Sequence, residues 1–388
     1  MYKNKTAIVG IGQTKFSKSL HPSELELACQ AVLAALSDAG INPSEVDALG
    51  SYTFEDTTEA ELARNLGFAD LSYFGQVAYG GGAAPGAVGQ VALAVASGVA
   101  KVGVVWRSRK RSAPSSRIWS QVNARIDDHW KWSRPSGLLR PVDEVAMLMR
   151  RYMYEYNISR EQLAQVAISQ RRFSHKNPRA LMAGKEMTLD DYMNARMISE
   201  PLCLFDNCLE TDGAIAVVIV SADYAKDLRQ APAYIHAYSQ GMSQQHQVMS
   251  DFHRQNPLHH NSNATANNLW RQSDYGPKDI QAAQIYDAFS PAILFSLEAY
   301  GFCKEGEGAD FFTENSLTES GNTDGLKLAI NTSGGGLSEA YIHGMNIVLE
   351  GVRQIRGNST AQVEGLENCL ITGCDPTPNA AMILSRCG

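Results

Sequence analysis

The chain has 388 residues, 44% hydrophobic and 19% charged, with Gly 32 and Pro 14, a globular composition that excludes disorder, fibrous repeats and a staple-dependent mini-domain. At about 150 residues per domain, the length predicts two or three domains sharing a large core. A net charge of −7 and a pI near 5.8 offer no general attraction to nucleic-acid phosphates or anionic lipid.

The start, Met1 to Lys5, leads into a short apolar run, Ala7 to Ile11, too short for a secretory signal. Thr6 to Gly10 reads as a strand and Ser23 to Gly40 as a helix, with Leu25, Leu27, Ala28, Val32, Leu33 and Leu36 on its apolar face. A turn-plus-cap segment, Ile41 to Asp47, precedes a second strand at Ala48 to Tyr52. Alternation of this kind predicts an α/β fold.

Gly80-Gly81-Gly82 opens an apolar helix expected to end near Gly98, and Gly334-Gly335-Gly336 opens another expected to end near Gly351. A helix apolar around its circumference is buried on all sides. Two of them at matching places predict duplicated α/β units packed back to back, an α-β-α-β-α layering. Val102 to Trp106, Ala214 to Val220 and Cys369 to Thr372 read as central strands. The whole region Ala83 to Trp106 is interrupted by Pro85, Gln90, Ser97 and Lys101, which makes it a buried helix and strand and no bilayer span.

The basic run Arg107, Arg109, Lys110 and Arg111 follows the first of these strands. It reads as a solvated loop or as a holder of a small ligand's phosphates. Between Ser108 and Leu202 the composition shifts to Arg, Met, Tyr and Trp with amphipathic stretches at Val142 to Tyr156 and Ser159 to Phe173, predicting a helical insertion over one face. Gln240 to Ser262 is unperiodic and reads as a loop that can line a ligand entrance; its His246, His253, His259 and His260 lack a metal-ligand pattern. Seven cysteines without C-x-x-C spacing encode neither zinc site nor disulfide framework, so a soluble protein of the reducing cytoplasm is expected.

Three separated motifs carry a resemblance: Thr211-Asp212-Gly213-Ala214 entering a strand, Tyr286-Asp287-Ala288-Phe289 after a strand, and the segment Gly334 to Gly344 before the second buried helix. They resemble signatures of the thiolase superfamily, specifically its lipid-transfer, sterol-carrier branch, over nearly the whole chain. The resemblance implies a duplicated thiolase-like fold: an N-terminal half (1–108 and 203–222), a helical loop domain (109–202) and a C-terminal half (223–388).

Thiolases place a nucleophilic Cys at the start of the first buried helix, where this chain reads Tyr79-Gly80-Gly81-Gly82-Ala83. Neither glycine nor alanine forms an acyl-enzyme. The family's two active-site histidines fall on Tyr286 and Tyr341. This combination is similar to the steroid side-chain aldolases, and implies retro-aldol cleavage of a bulky β-hydroxyacyl-CoA to a ketone and a short acyl-CoA such as propionyl-CoA. Tyr286 and Tyr341 are then the proton-transfer pair, in either order, with His343 tuning them. Gly81, Gly82, Gly335 and Gly336 are candidate donors to the enolate oxygen and to substrate. Ser338 and Asp287 are further candidate substrate-binding or supporting residues, with Asp287 equally suited to closing a turn, Glu339 is a supporting residue, and Cys374 is read as structural. Glu339 also fits a solvated first-turn position.

No metal and no covalent cofactor are expected, CoA entering as part of the substrate. The resemblance further implies a small partner with an OB-fold and zinc ribbon, around a homodimer core in an α2β2 heterotetramer. Two other readings stay open: a non-catalytic thiolase-fold subunit binding lipid or acyl-CoA, and a degenerate thiolase with an unrecognised nucleophile such as Cys303 or Cys374.

Overall fold

The computed structural model describes residues 3–113, 126, 130–244, 246, 255–258, 260–315 and 328–388. Strand β1 (Thr6–Gln13) leads to helix α1 (Glu24–Ala39). The Ser23 side chain accepts from the Glu26 amide at the start of α1, and Gly40 at φ +75° ends it, a left-handed position that costs glycine nothing. Next come β2 (Ala48–Tyr52), α2 (Glu59–Leu66), β3 (Tyr73–Val77), α3 (Ala84–Ala96) and β4 (Val102–Lys110). Helices α4 (Trp130–Ser133), α5 (Pro141–Tyr156), α6 (Arg160–Lys176) and α7 (Leu189–Met193) and a ribbon of β5 (Met197–Ser199) with β6 (Leu202–Cys203) precede β7 (Asp212–Ser221) and α8 (Ala222–Ala225). The second half contains β8 (Ala233–Gly241), α9 (His260–Gln272), β9 (Ala282–Ile285), α10 (Ser290–Ala299), α11 (Gly308–Asn315), β10 (Ala329–Ile330), α12 (Met345–Arg356), β11 (Asn368–Thr372) and β12 (Asn379–Ser385).

The strand order exposes the duplication. The first half runs β3-β2-β4-β7-β1 and the second β10-β9-β11-β12-β8. Each strand has a counterpart at the same place, and the parallel and antiparallel pairings match one for one. A short antiparallel pairing of β1 with β8, Ala7 opposite Tyr234 and Ile8 opposite Ala233, joins the halves edge to edge.

Helices α3 and α12 lie between the halves, sharing one apolar cluster with Val105, Ile215 and Val217 of the first and Ile371, Met382 and Leu384 of the second. The far face of the first half packs Val104, Trp106 and Val218 against α1. The far face of the second packs Ala283, Leu370 and Ile383 against α5, α9 and α10. The result is the five-layer α-β-α-β-α arrangement.

The second inner helix differs from its sequence-based outline. Gly335–Glu339 forms a separate wide turn, and the helix proper starts at Met345 and stops at Gly357, φ +75°. Nor is it apolar all round: Asn346, Glu350, Arg353 and Gln354 are buried in it. Glu350 accepts from Thr332 Oγ1 at 2.6 Å and Ser359 Oγ at 2.5 Å, and Gln354 Nε2 donates to Thr332 Oγ1 at 2.9 Å and the Ala361 carbonyl at 2.8 Å. These polar groups are tolerated between layers because Glu350 and Gln354 find partners there.

Of the expected Gln240 to Ser262 loop, Gln240 and Gly241 belong to β8 and Asn261 and Ser262 to α9, while His253 and His259 lie outside the described residues. Among the described residues no helix is long and apolar enough to cross a membrane, and no cluster of three or more His, Cys, Asp and Glu side chains is arranged to hold a metal.

Candidate active site

Both inner helices begin at one place. Gly80 and Gly81 precede α3, Tyr286 ends the β9 segment, and Tyr341 and His343 precede α12. All five line a cavity of about 580 Å³ that also takes in Arg111, Cys208, Leu209 and Cys374. The two glycine turns touch around Tyr286: a Cβ built on Gly344 would come within 2.8 Å of the Gly81 carbonyl and 3.2 Å of Tyr286 Cδ2. A Cβ on Gly81 would stand closer than 3.0 Å to Tyr286 Cζ, Cε1 and Oη. The Tyr286 phenol thus occupies the space that a side chain at position 81 would need.

The two phenols are electrostatically coupled, each acting on the other's ionisation. His343 completes an aromatic triangle, with ring centroids 5.6 Å from Tyr341 and 6.3 Å from Tyr286. Thr211 Oγ1 accepts the Tyr341 amide at 3.0 Å, which gives the Thr211-Asp212-Gly213 motif its task at the site. His343 has φ +51°, a left-handed backbone uncommon outside glycine and found where surroundings over-determine it.

Electrostatics separates the two tyrosines. Burial pushes the Tyr286 phenol well above its ordinary range, and its neighbours Tyr341 and Cys208 push the same way. Burial also raises Tyr341, but Arg109 and Arg111 oppose the rise, and so does Tyr286. The Arg111 guanidinium lies 6.0 Å from the Tyr341 ring centre. Tyr341 is therefore the phenol that ionises first.

The basic run is no solvated loop. Arg107, Arg109 and Arg111 are 0%, 2% and 3% exposed. Arg107 Nη2 lies 2.7 Å from His343 Nδ1, Arg109 Nη1 donates to the Phe54 carbonyl at 2.7 Å, and both act with Arg111 on the imidazole. β4 extends to Lys110, past the expected end at Trp106, so the spacing of two puts these arginines on one face, toward the inner helices. That alternation was the available signal; it was obscured because charge at a strand end looks like a solvated loop.

The structure brings Tyr286, Tyr341, His343 and Gly81 together and leaves the other expected site residues off the cavity wall. Gly82 packs against Pro378 and Asn379, where a Cβ would meet backbone at 2.9 Å. The Gly336 amide donates to Asp287 Oδ1 at 2.7 Å and the Leu337 amide to Oδ2 at 3.1 Å. A Cβ on Gly335, φ +58°, would collide with the same carboxylate. Asp287 therefore braces the turn before Tyr341, using an amide expected to face substrate. Ser338 Oγ accepts from Arg171 Nε at 3.2 Å. Glu339 is 1% exposed, not solvated, accepting from Ser333 Oγ at 2.6 Å and pairing with Arg353 at 3.6 Å.

Burial raises the Asp287 carboxyl to about 7, against the opposing amides. The folded state then holds a proton that the unfolded chain releases near pH 4, so this group's contribution to stability falls as pH rises from about 4 to 7. The thermal midpoint of wild type is expected to fall relative to that of Asp287→Asn across this window, as melting curves at stepped pH would show; parallel curves would refute the assignment.

Against this geometry, the chain matches known proteins in three ways. Residues 241–386 match the family described as thiolase C-terminal domain-like. The chain is 41% identical to the 17-hydroxy-3-oxo-4-pregnene-20-carboxyl-CoA lyase of Mycobacterium tuberculosis, covering 99% of this chain and 100% of that one, and 41% identical to the steroid side-chain-cleaving aldolase of Thermomonospora curvata, covering 97% of each. A solved structure described as an Ltp2-ChsH2(DUF35) aldolase superposes with TM-score 0.90 at 40% identity, over 99% of this chain and 98% of that one. The chain belongs to the thiolase superfamily, among its steroid side-chain-cleaving aldolases.

For a member of this branch, thiols in the cavity need an account. Cys374, expected to be structural, lines it together with Cys208, which the sequence did not single out because its neighbours Asn207 and Leu209 form no motif. Burial pushes the Cys208 thiol up to about 12, with Asp287 adding to the rise and Arg111 opposing it. The Cys374 thiol is pushed well up by burial and by Asp375 and Asp287. A thiol near pH 12 leaves only about one molecule in 10⁵ as thiolate at pH 7, which disfavours either as an acyl-enzyme nucleophile. Cys303, the other candidate raised by the sequence, is absent from the cavity lining and pushed up to about 12.

Proposed function

We propose that this chain is a carbon–carbon lyase that cleaves a bulky, steroid-bearing β-hydroxyacyl-CoA by a retro-aldol reaction. The products are a ketone and a short acyl-CoA such as propionyl-CoA. The observation that carries the reading is the coupled Tyr286–Tyr341 pair on the cavity wall, with Tyr286 standing where a side chain at position 81 would have to be. A pair of phenols exchanges protons without a covalent intermediate.

In this reading the Tyr341 phenolate, held by Arg109 and Arg111, takes the proton of the β-hydroxyl. The C–O bond becomes the ketone as the Cα–Cβ electrons pass to Cα, giving the thioester enolate. Tyr286 then returns a proton to Cα. Its proton is replaced by the one Tyr341 has gained, passed between the coupled phenols, so the pair ends as it began and no redox partner enters. Gly81 and His343 line the cavity, and the Gly81 amide and the His343 imidazole are the donors proposed for the enolate oxygen.

CoA enters as part of the substrate, with no covalent cofactor. We further propose a small OB-fold and zinc-ribbon partner, in keeping with the (DUF35) component in the description of the similar aldolase structure, on a homodimer core in an α2β2 assembly. All seven cysteines are free thiols, which suits a reducing cytoplasm.

The test is co-expression with such a partner, addition of a steroid β-hydroxyacyl-CoA with a tertiary alcohol, and mass spectrometry of products and protein. Ketone plus acyl-CoA without added free CoA, and without an acyl adduct on Cys208 or Cys374, is the expected result. Dependence on free CoA with a cysteine adduct would point to a thiolase. Intact substrate despite complex formation would point to a binding subunit.

A further inference from the structure

Arg107 reaches His343 from the other half of the fold. It is fully buried on β4, and its Nη2 lies 2.7 Å from His343 Nδ1. Its other arm is anchored: Nη1 donates to the Tyr52 carbonyl at 2.7 Å and meets Glu55 Oε2 at 3.4 Å, and the guanidinium stacks 4.8 Å from the Tyr52 ring centre. The Tyr52 hydroxyl donates to the His343 carbonyl at 2.9 Å. Ring and backbone of His343 are thus gripped from β2 and β4, while the ring borders the cavity.

A guanidinium has donors only and keeps its proton at all accessible pH. At 2.7 Å the nitrogen facing it must supply a lone pair. We propose that Arg107 is a positioning residue that locks His343 as the neutral imidazole with its proton on Nε2, so that the ring presents the cavity with a hydrogen-bond donor and no base. Among the described residues no protein group takes that Nε2 proton.

The charges around the ring favour the same form. Arg107, Arg109 and Arg111 face it, Glu55 is engaged by Arg107 and Ser108, and Tyr52, Tyr286 and Tyr341 are phenols raised by burial. Burial, reinforced by the three arginines, holds His343 well below the ordinary imidazole range. The donor's task, stabilising oxygen charge as the enolate forms, rests on the lyase reading above; the tautomer does not.

Solid-state ¹⁵N NMR of the histidine-labelled complex tests the tautomer directly, with the His343 signals assigned by their loss in His343→Gln. Nδ1 unprotonated and Nε2 protonated, unchanged from pH 5.5 to 9, is expected; an imidazolium or a proton on Nδ1 would overturn the proposal. Arg107→Lys keeps a charge for Glu55 but has no second arm for Nδ1, so a protonated-Nδ1 population is expected to appear and kcat to fall with KM little changed.

His343→Asn keeps an acceptor for Arg107 and removes the Nε2 donor, with an expected kcat loss of about 10²- to 10³-fold; His343→Gln, which carries an amide N–H near the Nε2 position, is expected to recover most of it. Wild-type kcat in His343→Asn would refute the donor role even with the tautomer as stated. Absence of cleavage by the wild-type complex, with the tautomer as stated, would instead refute the lyase reading.

Discussion

Replacing Gly81 with alanine is expected to lower kcat by about 10²-fold or more, because displacement of a reacting group by about 1 Å suffices for such a loss. The new methyl would stand closer than 3.0 Å to Tyr286 Cζ, Cε1 and Oη. The phenol cannot simply swing away, since Cδ2 of the same ring already lies near Gly344. Overpacking of this kind also costs about 1–3 kcal/mol of stability. The double variant Gly81→Ala, Tyr286→Ala should recover much of that stability while remaining inactive, a non-additivity expected of groups in contact. Thermal midpoints and steady-state kinetics of the single and double variants check both parts. An active, unperturbed Gly81→Ala would remove the basis for the spatial exchange between position 81 and Tyr286. Gly81→Cys meets the same obstacle, so restoring a cysteine at this position is not expected to restore thiolysis while Tyr286 remains.

Tyr341→Phe should reduce kcat by about 10²- to 10⁴-fold, the range for removing a general acid or base, and Tyr286→Phe should cost less. The asymmetry follows from the arginines: Arg109 and Arg111 oppose the rise of Tyr341, whereas burial, Tyr341 and Cys208 all push Tyr286 up. The double Phe variant should be little worse than Tyr341→Phe, since the phenols act as a unit. The pH profile has a definite sign. Burial keeps Tyr341 above the ordinary phenol range, so the reactive phenolate is a minor form at neutral pH that grows as pH rises. Wild-type kcat is expected to climb from pH 7 toward 9, and the climb to disappear in Tyr341→Phe. A profile unchanged by that variant would remove Tyr341 from the base role; a larger loss in Tyr286→Phe would exchange the roles.

Much of the fold was legible in the residues. Glycine triplets before two apolar segments and matched strand runs marked a duplication, and the structure shows it strand by strand. Tyr286 and Tyr341 were legible because they occupy motif positions that a resemblance assigns to chemistry. The limits of α12 were not, because buried Glu350 and Gln354 find partners outside the helix, in Thr332, Ser359 and Ala361. Nor was the use of the glycine amides: whether the Gly336 N–H faces substrate or Asp287 depends on where two segments about fifty residues apart come to rest.

Local pattern alone determined the alternation of strands and helices and the burial of two inner helices, which follow from side-chain periodicity and residue type acting over a few positions. The missing nucleophile before α3 and the two tyrosines in place of histidines became legible through the family resemblance of the surrounding motifs. Only the tertiary structure decided that the Arg107-Arg109-Arg111 run points inward to His343 and Tyr341, that Tyr286 fills the space beside Gly81, and that Cys208 joins the cavity wall. These relations join residues from opposite halves of the chain. Their charges and shapes acquire chemical meaning from the distances and desolvation that packing of the five layers imposes.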